Sequence, residues 1–332
     1  MIKKEYTFDA SYQPQVRTKT DTSRIMLDVI IALVPAMIVA VLMFGWKALL
    51  LMAVSVAASV FFEWGYRKIM KKPDSIGDLS ACVTGILIAM VVPVSAKWWM
   101  LVVGDFFAIV IVKQLYGGLG KNFVNPALAA RAFMMASWAA IMTTWTLPKG
   151  VDAVSAATPL SYLFNGTEMP FTTSQLFLGS ISGCIGEVSA AALLLGGIYL
   201  LVRKVINWRI PVGFIGTVAV LTLIFGHEGY GNFDFMLKNL LSGGLMLGAF
   251  FMATDYSSSP TSLNGQLVYG IGCGVLTVLI RYFGGFPEGV SYAILIMNLC
   301  AWALDKAFRS KQFGVSKEDL KAAKKAAKEA KA

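Results

Sequence analysis

Three groups of residues are placed where they can do chemistry. The first is the run Asp152-Ala153-Val154-Ser155-Ala156-Ala157-Thr158-Pro159-Leu160. Small residues around Thr158 leave its hydroxyl open to a modifying enzyme, and the freed N–H groups of a helix start favour a phosphate beside it. The same run also reads as ordinary helix initiation, with Thr158 as N-cap, Pro159 at the first helical position, and Asp152 or Ser155 capping a turn. The second group is Lys113-Gln114-Leu115-Tyr116-Gly117-Gly118-Leu119-Gly120-Lys121-Asn122-Phe123-Val124-Asn125-Pro126-Ala127. Gly117, Gly118, Asn122, Asn125 and Pro126 break a helix there. The break is either a tight loop or irregular backbone lining a cofactor or ion site. The third is Asp105, a lone acid inside a long apolar run and a candidate for an ion path.

The other reactive side chains are expected to be quiet. Cys82, Cys184, Cys273 and Cys300 are far apart, each in an apolar segment. They read as inert buried thiols, the alternative being a cluster completed by another subunit. Glu63, Glu187 and Asp255 fall near the ends of apolar runs and read as boundary residues. His227 is the only histidine, so no metal site is expected. No combination of residues forms a self-contained catalytic centre, and neither a nucleotide-binding glycine fingerprint nor a cysteine array for a cluster is present.

Elements that cross a bilayer must position these groups. Of 332 residues, 57% are apolar and only 14% charged, and the apolar residues gather in runs of bilayer length with the charges between them. About ten transmembrane helices are expected, at 25–44, 48–66, 79–94, 98–114, 127–147, 186–202, 211–225, 239–254, 267–283 and 288–305. The chain then divides into an N-terminal segment (1–24), a first set of five helices (25–147), an outer loop (148–185), a second set of five (186–305) and a basic tail (306–332). Polar residues before the first run argue against a cleaved signal peptide. The tail reads as solvated and partly helical, or as a surface for anionic lipid or an acidic subunit.

The net charge of +10 reflects orientation in the membrane rather than a nucleic-acid partner. With both termini cytoplasmic, the inner segments collect Arg67, Lys68, Lys71 and Lys72, then Lys113, Lys121 and Arg131, then Arg203, Lys204 and Arg209. The outer ones hold only Lys47, Lys97, Lys149, Lys238 and Arg281. This count puts the Thr158 loop on the outer face of the cell membrane. Tyr116-Gly117-Gly118-Leu119 and Phe283-Gly284-Gly285-Phe286 each precede a fifth helix. Two five-helix sets must lie in opposite orientations, the inverted-repeat plan of many transporters.

Two of these motifs carry a resemblance. Asp152, Ser155, Ala157 and Thr158 match the D-x-x-S/T-G-A-T site at which a threonine of certain respiratory membrane proteins is joined to FMN through a phosphoester. Ala156 stands where glycine is usual. The Lys113 to Ala127 stretch is similar to the K-Q-x-Y-G-G-L-G-x-N-x-F-N-P-A region of the family that contains the D subunit of the Rnf complex and the B subunit of the sodium-pumping NADH:quinone reductase. The resemblance covers essentially the whole chain, and its length and short N-terminal segment look more like the Rnf branch. It implies an all-α integral membrane protein in two inverted repeats of five helices, like urea transporters. It also implies covalent FMN on Thr158, a second, non-covalent flavin as an option, and a flavin transferase acting on the outer face. Other membrane and peripheral subunits of an Rnf complex would oxidise ferredoxin and reduce NAD, with coupled Na+ or H+ export. The rival expectations are a flavin-free solute transporter or channel, and the B subunit of the quinone reductase.

Overall fold

Apolar length and two glycine-bounded ends define the first helices. The computed structural model describes residues 21–146, 158–164, 170–179, 181–187, 189–226, 231–284 and 288–308. Helix α1, Thr22–Phe44, starts where the Asp21 carboxylate accepts the Thr22 N–H and stops at Gly45, whose φ of +73° suits a residue without Cβ. Helix α2, Trp46–Ile69, ends with Arg67 and Lys68 in its last turn, where cations complement the carbonyl end of the helix dipole.

Shorter helices follow. Helix α3 is Ser80–Met90. Helix α4, Trp98–Phe106, runs directly into a wider π-helical segment, Phe107–Gln114. Helix α5, Pro126–Ser137, breaks at Trp138 before the single turn α6, Ala139–Met142. Between the two sets lie α7, Pro159–Phe164, and α8, Thr173–Leu178. The second set comprises α9 (Ala190–Val202), α10 (Arg209–Phe225), α11 (Asn232–Leu241), α12 (Leu245–Leu247, continuing π-helically over Gly248–Met252), α13 (Leu263–Phe283) and α14 (Val290–Ala307). No strand occurs among the described residues.

Four helices, α1, α2, α13 and α14, are long and apolar enough to cross a membrane. The pair α11 and α12, bent by 61°, makes a fifth if counted as one span, and α3, α9 and α10 are shorter apolar helices. The architecture is that of an all-α, multi-pass membrane protein. Leu27, Ile31, Ile38 and Leu42 of α1 stay exposed, an apolar surface that hydrocarbon, not water, must cover. One large apolar core joins the two sets, and α1 packs on α9 across the divide.

Three expected spans are interrupted. The run 79–94 is helical only to Met90, because the backbone beyond it pairs with the segment before α9. There the Ile185 N–H donates to Val92 O at 3.1 Å and the Gly186 N–H to Met90 O at 2.7 Å. Residues 186, 187 and 189 are therefore not helical either. The run 239–254 breaks at Ser242–Gly244, where Gly243 and Gly244 both have positive φ, and 127–147 breaks at Trp138. Such backbone is tolerated at depth because it is enclosed by protein, and Val91, Val92 and Cys184 are all buried.

Candidate functional site

The sequence run Lys113 to Ala127 forms a built corner rather than a plain loop. Gly117, Gly118 and Gly120 take positive φ, turning the chain out of the π-helical segment. At its far side the Asn125 side chain accepts the Ala127 and Leu128 N–H groups, an N-cap completed by Pro126 at the helix start. Its amide nitrogen donates to Met252 O at 3.1 Å, so the cap of α5 also ties the first set of helices to the second. The Asn122 amide donates to Val124 O at 3.1 Å, within the corner itself.

Asn122 and Asn125 line a cavity of about 80 Å³, together with Ser80, Lys113, Thr254 and Asp255. By the space one water needs, that volume holds about five or more waters or a hydrated ion. It falls short of the roughly 300 Å³ at which sites for drug-sized ligands begin. Gly117 and Gly118 are not in its wall. Asp255, expected to be a mere boundary residue, is there, accepting from the Ser258 hydroxyl at 2.9 Å. Burial pushes its carboxyl above the usual carboxylate range, against the lowering effect of the Ser258 and Ser257 hydrogen bonds.

Beside the cavity lies a charge cluster that sequence reasoning missed. Lys113 Nζ donates to Glu63 Oε2 at 2.8 Å and to Ser80 Oγ at 2.7 Å. Gln114 Nε2 and Ser75 Oγ donate to Glu63 Oε1 at 2.9 and 2.6 Å. Both charged side chains are buried. Glu63 is thus no boundary residue, and Lys113 is no freely solvated loop charge. The available signal was spacing: Ser55, Ser59 and Glu63 recur every fourth residue, which puts them on one face of α2.

A second buried cluster joins three distant parts of the chain. Arg131 Nη1 lies 3.2 Å from Glu187 Oε1 and its Nη2 2.7 Å from Glu288 Oε2. Arg131 is therefore an interior residue of α5 and not a cytoplasmic loop cation, and Glu187 is again not a boundary residue. The Cys184 sulfur and one oxygen each of Glu187 and Glu288 lie within 4.8 Å of one another. The Arg131 guanidinium takes up one oxygen of each carboxylate and offsets one of their two negative charges. Of the four thiols expected to be buried, Cys184 and Cys273 are; Cys82 is partly buried and Cys300 is exposed on α14.

Asp105 is fully buried near the middle of the run formed by α4 and its π-helical extension. Its Oδ1 accepts from Ser55 Oγ at 2.9 Å and Ser59 Oγ at 3.1 Å. Thr158 stands at the start of α7, where its Oγ1 accepts the Ser161 N–H at 3.2 Å. It is buried rather than open, because Leu160 and Leu163 seat α7 against Phe235. Asp152, Ser155, Ala156 and Ala157 lie outside the described residues, as does His227.

Residues 9–314 match the model of the NQR2, RnfD, RnfE family. The chain is 48% identical over 317 residues to the D subunit of the Na(+)-translocating ferredoxin:NAD(+) oxidoreductase complex of Acetobacterium woodii, covering 94% of this chain and 97% of that one. It is 42% identical over 325 residues to the D subunit of the proton-translocating ferredoxin:NAD(+) oxidoreductase complex of Clostridium ljungdahlii, with 94% and 97% covered. It is 37% identical over 341 residues to the D subunit of the ion-translocating oxidoreductase complex of Shewanella amazonensis, with 92% and 98% covered. The chain belongs to the NQR2, RnfD, RnfE family.

Proposed function

We propose that the chain is the D-type membrane subunit of an ion-translocating ferredoxin:NAD+ oxidoreductase complex, carrying FMN in phosphoester linkage on Thr158. The observation that carries this reading is near-complete, 48% identical coverage of a subunit so named. That relative is named as sodium-translocating and the next as proton-translocating, so the reading includes coupled export of Na+ or H+ without choosing between them.

Thr158 fits the linkage on one point. Its Oγ1 accepts a hydrogen bond, while its hydroxyl hydrogen has no acceptor among the described residues. Replacing that hydrogen by phosphorus breaks no donated hydrogen bond. Because the side chain is buried, the transferase must meet it with the start of α7 displaced or before α7 seats. Bound FMN would supply one-electron transfer on the outer side of the membrane. The chain's own part is to hold Thr158 on a short helix anchored by Leu160, Leu163 and Phe235, and to keep that anchor fixed relative to α11.

The inverted-repeat plan, and with it ten spans and a urea-transporter-like fold, is supported by a matching pair of contacts. Lys113, ahead of Gly117-Gly118, binds Ser80 at the start of α3. Arg281, ahead of Gly284-Gly285, binds Asn239 and Ser242 O just before α12. In each set the helix ahead of the Gly-Gly pair thus ends on a buried cation that reaches an earlier helix of the same set, Lys113 at the start of α3 and Arg281 at the break between α11 and α12. Both termini are placed in the cytoplasm by this reading, and other subunits carry out ferredoxin oxidation and NAD reduction.

In-gel flavin fluorescence after denaturing electrophoresis tests the reading, with the native chain and Thr158→Ala made in a host that supplies the flavin transferase. A fluorescent native band that Thr158→Ala abolishes is expected. A dark native band despite an active transferase would favour a flavin-free transporter.

A further inference from the structure

Asp105 is surrounded by more oxygen than hydrogen. Ser55 Oγ lies 2.8 Å from Gly85 O and 2.9 Å from Asp105 Oδ1, and Ser59 Oγ lies 3.1 Å from Oδ1. Asp105 Oδ2 is buried without a hydrogen-bond partner among the described residues. Two serine hydroxyls thus offer two hydrogens to both Asp105 oxygens and to the remaining lone pair of the Gly85 carbonyl, whose other lone pair serves α3. Ser55, Ser59 and Asp105 are all wholly buried.

Among the described residues no positive side chain compensates the carboxylate. From α2 the nearest charged groups are Glu63 and Arg67; Glu63 is held by Lys113, and Arg67 donates to Pro73 O. From the π-helical segment Lys113 faces Glu63 and Ser80. From α3 the only titratable group is Cys82, partly buried. From α5 Arg131 is taken by Glu187 and Glu288. An ionised carboxylate at this depth without a counter-charge is strongly disfavoured, so the positive charge must arrive from outside as a proton or a cation. A divalent ion would leave the pocket with a net positive charge. One carboxylate among neutral hard oxygens suits a monovalent ion.

The frame around these oxygens is tight on one side and adaptable on the other. A methyl group on Gly85 would press on Ser55 O and Val56 Cα, each 2.9 Å away, so α3 lies directly on α2 and fixes the Gly85 carbonyl. Beyond Asp105 the helix widens into its π-helical segment, a form that accumulates at functional sites.

We propose that Asp105, Ser55, Ser59 and the Gly85 carbonyl form a site for one dehydrated monovalent cation of sodium's class, exchanging with a proton on Asp105. The cation enters as the carboxyl proton leaves to solvent, so the site is neutral in both states and no electron moves. The stripe Ser55, Ser59, Glu63 on α2 leads from the site to the buried cluster beside the cavity. The inference rests on the ion-translocating reading and names the place where this chain would hold the ion.

The test is infrared difference spectroscopy on the purified full chain, titrated with NaCl against choline chloride at constant ionic strength. Sodium should remove the stretch of a protonated carboxyl and raise carboxylate bands. The apparent affinity should weaken about tenfold per unit of pH lowered where the acid is protonated, as one-for-one exchange requires. Asp105→Asn should abolish the signal and Ser59→Ala weaken it. A carboxyl band indifferent to Li+, Na+ and K+ would make Asp105 a permanently neutral helix contact and overturn the proposal. So would a sodium signal surviving in Asp105→Asn, or, if that variant does not fold, an affinity unchanged by Ser59→Ala. The readout needs no flavin: a dark gel with a sodium signal rejects the redox reading alone, and a fluorescent gel without the signal rejects the site alone.

Discussion

Lys113 and Glu63 face each other at 2.8 Å with both side chains out of solvent, one at the end of a π-helical segment and the other two turns from the end of α2. Breaking a buried pair by removing one partner strands a charge, which costs about 3 to 5 kcal/mol, whereas removing both leaves no orphan. Glu63→Gln and Lys113→Met should each lower the thermal midpoint of the detergent-solubilised chain substantially. The double variant should lie above either single one. Losses that simply add would show that the two charges do not depend on each other.

Arg131 is more exposed to failure, because it serves two carboxylates at once, at 3.2 and 2.7 Å. Arg131→Met removes the hydrogen-bonded cation between Glu187 and Glu288 and leaves them only the less direct charge of buried Arg281, while Glu187 stays packed against Gly244. Loss of monodisperse protein in size-exclusion chromatography is expected. Glu288→Gln keeps the ion pair to Glu187 and a hydrogen-bonding amide, and should remain monodisperse with a lowered midpoint.

Close backbone approach predicts a sharp contrast between two glycines in apolar helices. At Gly196 of α9 a Cβ would run into Ala32 O of α1, the small-residue contact that membrane helices use to pack. Gly196→Ala should cost about 1 to 3 kcal/mol, as overpacking does. Gly216 of α10 has nothing within 4 Å of its would-be Cβ. Gly216→Ala should be neutral or stabilise by up to about 1 kcal/mol, because alanine is the better helix former. Equal midpoints for the two variants would argue against the α1–α9 contact.

The places of the helices were legible because apolar runs set them, and Asp105 was legible because an acid in such a run has few innocent explanations. What the sequence did not disclose were the breaks at Met90, Trp138 and Ser242–Gly244. An apolar run reads the same whether its backbone is helical or is satisfied by another segment, as Met90 and Val92 are by Gly186 and Ile185. Charge pairing was hidden for a related reason. Glu63, Arg131 and Glu187 lie near the ends of apolar runs, where lipid no longer penalises a charge, and only their partners, more than 45 residues away in each case, reveal that they are interior. The Ser55, Ser59, Glu63 spacing held the one local clue.

Thr158 combines a capping hydroxyl with the proposed flavin attachment, and the two roles separate by substitution. Its Oγ1 accepts the Ser161 N–H, and losing such a cap costs about 1 kcal/mol. Thr158→Ser keeps both cap and hydroxyl, so the band should stay fluorescent at an unchanged midpoint. Thr158→Asp keeps an acceptor for the Ser161 N–H but cannot form the phosphoester through a side-chain hydroxyl. It should give a dark band with the cap retained. Thr158→Ala should be dark and slightly less stable than Thr158→Asp. If Thr158→Asp were fluorescent, the flavin would be attached elsewhere. If Thr158→Ser were dark at full stability, the transferase would be reading the threonine methyl group as well as the hydroxyl.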